Sequence, residues 1–144
     1  MKTNNQRGVT LMELLVVIVV LGILASIAFP SYRQYLIRAQ RAEAKTALLQ
    51  VQANQEKFYL NGNTYTDAVD TASPDGLGLS DVTETGKYEI TVELGDDGQS
   101  YTATAAPASG GGQEDDTLCG SFTVTDTGVR GNEDATLTPA ECWR

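Results

Sequence analysis

The sequence predicts an α+β fold: a long N-terminal α-helical spine, transmembrane in its first half, packed against a small antiparallel β-sheet head that ends in a loop between two cysteines. Three observations predict it. The run LLVVIVVLGILASIAF, residues 14–29, carries no charge. The stretch that follows Pro30, SYRQYLIRAQRAEAKTALLQVQANQEKFYL, has no Gly or Pro and consists mostly of strong helix formers. Farther on, KYEITVEL and SYTATAA alternate apolar and polar side chains on either side of GDDG, which reads as two strands joined by a turn.

The apolar segment comes first. Lys2 and Arg7 precede it, and from Val9 to Phe29 it is 21 residues long with Glu13 as its single acid. About 20 residues of helix cross a bilayer core of ~30 Å, so the segment just spans. An ordinary secretory signal has the same plan, and Ala25, Ser26, Ile27 and Ala28 offer a small-x-small cleavage site. Glu13 argues against that reading, because an unpaired carboxylate in an apolar helix costs about 2.5 to 3.5 kcal/mol and usually marks function. Either Glu13 snorkels into the headgroups, or a cation meets it; a cut after Gly8 would place the new amine of Val9 close by.

The second part of the spine follows Pro30. Ala44, Ala47, Leu48, Val51 and Phe58 recur near helical spacing, a stripe suited to hold the later strands. An unbroken helix from Val9 to Leu60 would be about 78 Å long at 1.5 Å per residue, far beyond a membrane. Arg33, Arg38 and Arg41 surround Tyr32 and Tyr35. They read first as a solvated or lipid-headgroup face, and second as a contact for acidic surfaces of neighbouring molecules.

Asn61 and Gly62 stop the helix and open the head. In its first strand Tyr88, Ile90, Val92 and Leu94 share one face. Tyr101, Ala103 and Ala105 share the corresponding face of the return strand, and GSFTVTD forms a third strand with Phe122 and Val124 inward. Three or so strands with one apolar face on the spine complete the expected core. The tail GNEDATLTPAE shows little means of forming structure alone.

Charge divides the chain and removes whole classes of function. Ten Lys and Arg face nineteen Asp and Glu, net -9. Residues 30–60 carry five basic and two acidic side chains, whereas residues 61–144 hold Lys87, Arg130 and Arg144 against sixteen acids, net -13. Such a head argues against nucleic acid held by phosphate contacts. There is no His, so imidazole bases, the familiar triads and most zinc sites are excluded. No catalytic residue, metal site or cofactor is expected. Asp96 and Asp97, and Glu114, Asp115 and Asp116, read as solvated loop acids rather than a Ca²⁺ cage.

The stretch RGVTLMELLVVIVVLGILASIAFPSYRQYLIRAQRAEAK resembles the N-terminal segment of type IV pilins and pseudopilins. In that family a short basic leader ends in Gly, prepilin peptidase cuts after it, the new first residue is N-methylated, and a Glu stands five residues into the mature chain. The matching positions are Gly8, Val9 and Glu13. Val9 replaces the commoner Phe, and Met12 a more usual Ile. The resemblance implies four segments: a leader, 1–8; a transmembrane and filament-core helix, 9–29; the amphipathic second half of the spine, 30–60; and a globular head, 61–144.

The resemblance further implies that Glu13 registers each subunit by neutralising the terminal amine of its neighbour. Gly22 and Pro30 are helix weak points, with a bend or local melting between them expected in a filament. Cys119 and Cys142 are expected to close a disulfide loop, 119–142, worth roughly 3 to 4 kcal/mol on the chain-entropy estimate, with free thiols or a metal site as the weaker alternatives. Trp143 beside it is read as core packing. Implied partners are further copies of the chain in a homopolymeric filament, prepilin peptidase, the pilus assembly platform and minor pilins, and the bacterial inner membrane before assembly. The expected product is an extracellular filament serving adhesion, twitching motility or DNA uptake. A minor pilin or a type II secretion pseudopilin in the periplasm is the alternative within the superfamily, and a soluble periplasmic or membrane-anchored binding protein the alternative outside it.

Overall fold

The computed structural model describes residues 9–144; the expected leader, with Gly8, lies outside the described residues. The chain divides into two compact units between Leu36 and Ile37. Among the described residues the first is helix from Leu11 onward. The helix, α1, is Leu11–Gly62, 52 residues, shifted by two residues at each end from the expected Val9–Leu60. Capping explains both shifts. At the start Thr10 stands outside the helix, and its Oγ1 accepts the Glu13 N–H at 3.2 Å. At the end the left-handed residue is Asn63, φ 54°, whose N–H donates to the Tyr59 carbonyl at 2.7 Å; an Asn one residue past the helix closes the ladder as a Gly would.

In the second unit α1 buries Ala44, Leu48 and Val51, with Ala47 and Phe58 half-covered beside them. The predicted stripe therefore forms the helical side of the core. Periodicity misses Gln55, which is fully buried on the same face. Its amide nitrogen donates to the Thr66 carbonyl at 2.6 Å, and its amide oxygen accepts the Thr66 N–H at 3.1 Å. One side chain thus supplies a ladder rung to the segment that leaves the helix.

The sheet is antiparallel with four strands in chain order: β1 (Tyr88–Leu94), β2 (Tyr101–Pro107), β3 (Ser121–Thr125) and β4 (Arg130–Glu133). Register aligns the apolar rows: Ile90, Ala105 and Phe122 in one, Val92, Ala103 and Val124 in the next. These six side chains are buried, together with Tyr88 and Tyr101. The alternation read for the first three strands is what builds this face.

The tail departs from expectation. Asp126-Thr127-Gly128 turns the chain, with Gly128 at φ +77° and its N–H on the Thr125 carbonyl at 2.9 Å, and β4 returns along β3. Behind it Pro139–Cys142 forms one helical turn, α2, under a capping box in which Thr138 and Glu141 bond each other's ends. Each edge of the sheet carries a contact. A bridge from Val82 to Glu89 lies along β1, and on β4 the Gly131 carbonyl accepts Trp143 Nε1–H at 2.8 Å.

Candidate functional site

In the first unit the apolar segment has nothing over it. Every Leu, Ile, Val, Met and Phe from Val9 to Phe29 is between 48% and 83% exposed. The helix is long and apolar enough to cross a membrane, and none of its apolar window is buried. At roughly 1.5 to 3 kcal/mol per large apolar side chain, leaving fifteen of them in water is untenable; lipid or other protein must cover them.

Glu13 is exposed on this segment, at the third helical position after Thr10. The pair follows a T-x-x-E capping pattern, and the positive end of the helix dipole favours a carboxylate there. The position gives Glu13 a local helix-starting role, for which the capping pattern was the signal; its registering role remains an expectation from sequence. Val9 is 73% exposed. Gly22 has open space where a Cβ would lie. Pro30 is accommodated inside α1 without interrupting it, although it has no N–H for the Ser26 carbonyl. Two hydroxyls bond back within the same stretch, Ser26 to the Ile23 carbonyl at 2.7 Å and Ser31 to the Ile27 carbonyl at 3.2 Å, a habit that loosens and bends helices.

The second unit is organised around a buried ion pair. Arg41, expected on an exposed basic face, turns inward: Nε and Nη2 donate to the two oxygens of Asp116, each at 2.6 Å. Asp116, expected as a solvated loop acid, is 4% exposed. The correction has a physical cause, since five donors converge on this carboxylate. Besides the guanidinium, the Leu118 and Cys119 N–H groups reach Asp116 Oδ1, each at 3.3 Å, and Gln113 Nε2 reaches Oδ2 at 3.4 Å. Gln113, itself fully buried, also donates to the Tyr88 hydroxyl at 2.8 Å. Burial pushes the Tyr88 phenol up to about 12, against the pull of the Gln113 hydrogen bond.

That hub seats the bridge. Cys119 and Cys142 are joined, with Cα atoms 5.6 Å apart and 23 residues of separation. Lys45 ties the other end, donating to the carbonyls of Cys142 at 3.2 Å and Arg144 at 2.9 Å; burial, then the Arg41 charge, lowers its pKa. Trp143 packs edge-on against Phe122 at 5.7 Å between centroids, in keeping with a core role, and Arg130 lies over its indole at 5.1 Å. Arg130, Thr138, Pro139, Trp143 and Arg144 line a recess of about 600 Å³. Two of the head's three cations therefore share one corner, an arrangement net charge conceals. Among the described residues no group of three or more His, Cys, Asp or Glu gathers as a metal site would require.

Comparison with known proteins gives two family matches. Residues 30–123 match the family described as type IV minor pilin ComP, DNA uptake sequence receptor, and residues 3–29 match the prokaryotic N-terminal methylation motif. A fimbrial protein of Moraxella nonliquefaciens is 42% identical over 59% of this chain and 52% of its own. The type IV major pilin protein PilE1 of Neisseria gonorrhoeae is 38% identical over 62% and 49%. The chain thus spans about half the length of these relatives. The fimbrial protein EcpC of Eikenella corrodens is 31% identical over 95% of this chain and 90% of its own. Among solved structures a type IV pilin from Shewanella oneidensis aligns with TM-score 0.47 and 18% identity, covering 65% of this chain and 89% of that one. With both its N-terminal helix and its head matched, and one relative aligned over nearly its whole length, the chain belongs to the type IV pilin family.

Proposed function

We propose that the chain is a structural subunit of a type IV pilus, cut after Gly8 by prepilin peptidase, methylated at Val9 and drawn from the inner membrane into a filament. The observation that carries this reading is the uncovered apolar surface of Val9 to Phe29. The same side chains serve both states, being covered by lipid before assembly and by other copies of the segment afterwards. Glu13 sets the register: its carboxylate accepts the new amine of an incoming neighbour, and methylation preserves that positive charge. Gly22 and Pro30 are the points at which the segment bends or melts when packed.

Substituting Glu13 by Ala or Leu tests the pairing. Removing one partner of a buried pair costs about 3 to 5 kcal/mol, so filament yield falls steeply while the protein stays in the membrane; normal yield would overturn the reading. Intact mass of sheared surface material tests the processing. The expected chain begins at Val9, carries one extra methyl and has both cysteines oxidised.

A second reading, reception of DNA by the head, draws on the family matched over residues 30–123 and on the corner of Arg130, Trp143 and Arg144. Cations there meet phosphate, and the exposed part of the indole offers a face for an unstacked base. Each phosphate contact contributes about -0.9 to the slope of log affinity on log salt. Fluorescence anisotropy with duplex DNA should give a shallow slope near -2 that Arg130→Ala and Arg144→Ala reduce; binding indifferent to both substitutions would remove this corner as the contact.

A further inference from the structure

Three phenols stand in a row where α1 ends. Tyr59 lies in the last turns of α1, Tyr65 three residues beyond the helix, and Tyr101 at the start of β2. Ring centroids are 4.7 Å apart for Tyr59 and Tyr65 and 4.8 Å for Tyr65 and Tyr101. The first pair is tilted by only 33°, whereas the second meets edge-on at 70°. The turn between β1 and β2 fixes the row: Tyr65 N–H donates to the Gly98 carbonyl at 2.9 Å, and Gln99 Nε2 to the Asn63 carbonyl at 3.0 Å.

Packing alone accounts for three rings, and phenylalanine would pack as well. The hydroxyls are differentiated beyond that. Tyr65 donates to a Glu56 carboxylate oxygen at 3.3 Å, and Tyr59 to the Gln99 amide oxygen at 3.0 Å. The Tyr101 hydroxyl is buried with no partner. A phenol that loses an electron must also lose its proton. Tyr65 has a base in place and Tyr101 has none, and burial holds the Tyr101 proton more firmly than usual. Tyr59 and Tyr65 are only half-buried, so an oxidant in solvent can reach them.

We propose that Tyr59 and Tyr65 form an oxidative modification site, joined through one ortho carbon of each ring into an intrachain dityrosine by a one-electron oxidant of the haem peroxidase and hydrogen peroxide class. Each phenol gives up one electron and its hydroxyl proton, Tyr65 to Glu56 and Tyr59 to water. The two unpaired electrons make the new carbon–carbon bond, and the hydrogen at each bonded carbon returns to its own phenol oxygen. Glu56 then passes its proton to solvent. The chain loses two electrons and two protons, which together reduce one hydrogen peroxide to two waters. The product ties the last turns of α1 covalently to the segment that follows it.

The full-length chain in detergent, treated with a haem peroxidase and limiting hydrogen peroxide, tests this. Trypsin releases Phe58–Lys87, which contains Tyr59 and Tyr65 and no other tyrosine, so loss of two hydrogens from that peptide with dityrosine fluorescence reports the link. The expected result is this peptide as the main cross-linked product. Glu56→Gln should lower its yield severalfold at unchanged circular dichroism, and Tyr59→Phe should abolish it. If Glu56→Gln disturbs folding, the parent in urea serves instead, and the yield should collapse there. Coupling confined to the exposed Tyr32 and Tyr35, a yield unchanged by Glu56→Gln in the folded chain, or a yield unchanged in urea would each overturn the proposal.

Discussion

Replacing Arg41 by methionine keeps most of the aliphatic bulk and removes the guanidinium. Asp116 then stays behind with its side chain only 1% exposed. Breaking a buried pair from one side costs about 3 to 5 kcal/mol. Three donors remain on the carboxylate, but their distances, 3.3 to 3.4 Å, are long beside the lost 2.6 Å pair, so they return only part of that. We expect a net loss of about 3 kcal/mol. For a unit of this size, residues 37–144, 1 kcal/mol moves Tm by about 4 °C, which gives a fall of about 12 °C. Thermal unfolding of the full chain in detergent, followed by near-ultraviolet circular dichroism, measures it. A double-mutant cycle with Asp116→Asn, which keeps an acceptor for the Leu118 and Cys119 N–H groups, isolates the charge pairing. A fall below about 4 °C, equivalent to about 1 kcal/mol, would mean that the pair behaves like a solvent-screened surface bridge and would refute the reasoning.

Three further outcomes follow from the head. Cys119→Ser with Cys142→Ser opens the 119–142 loop and should destabilise by about 3 kcal/mol, read as a fall in Tm that reductant reproduces in the parent. Gln55→Leu leaves a buried Thr66 N–H and carbonyl unpaired and should cost about 2 to 4 kcal/mol, measurable by urea unfolding, with hydrogen exchange at Thr66 rising before global exchange does. The Tyr65, Tyr88 and Tyr101 phenols are all held above their usual values, chiefly by burial. The folded chain therefore keeps protons that the unfolded chain releases, so stability from these groups is complete below pH 10 and is lost as pH rises toward 12. Tyrosinate absorbance from these three phenols and circular dichroism should change together in that range, and ionisation of Tyr65, Tyr88 and Tyr101 at their usual values without unfolding would contradict the burial.

Most of the fold was legible because period carries it. The helical stripe at Ala44, Leu48 and Val51 and the alternation in β1, β2 and β3 are repeated signals, each residue reinforcing the next. β4 has no such repeat: Arg-Gly-Asn-Glu is polar throughout, and pairing with β3 makes it a strand. Its turn, Asp126-Thr127-Gly128, and the Thr138-Pro139-Ala140-Glu141 capping box were present as local signals that the apolar pattern outweighed. Arg41 and Asp116 are 75 residues apart in the chain, and nothing local distinguishes them from their solvated neighbours Arg38 and Glu114. Of the candidate site, Val9 to Phe29 was legible because hydropathy alone defines it, while the Arg130 and Trp143 corner was hidden by the charge of the head around it.

The contacts at the two sheet edges bear on how heads behave where copies crowd together. An open edge strand invites any extended chain to add to it, and many copies held side by side at high local concentration multiply that hazard. Here the Trp143 indole occupies the Gly131 acceptor on β4, and the Val82 bridge lies along β1. Part of each border is thereby occupied, which leaves fewer groups open to strand addition. Substituting Trp143 by alanine frees the Gly131 acceptor and should raise the tendency of concentrated heads to aggregate.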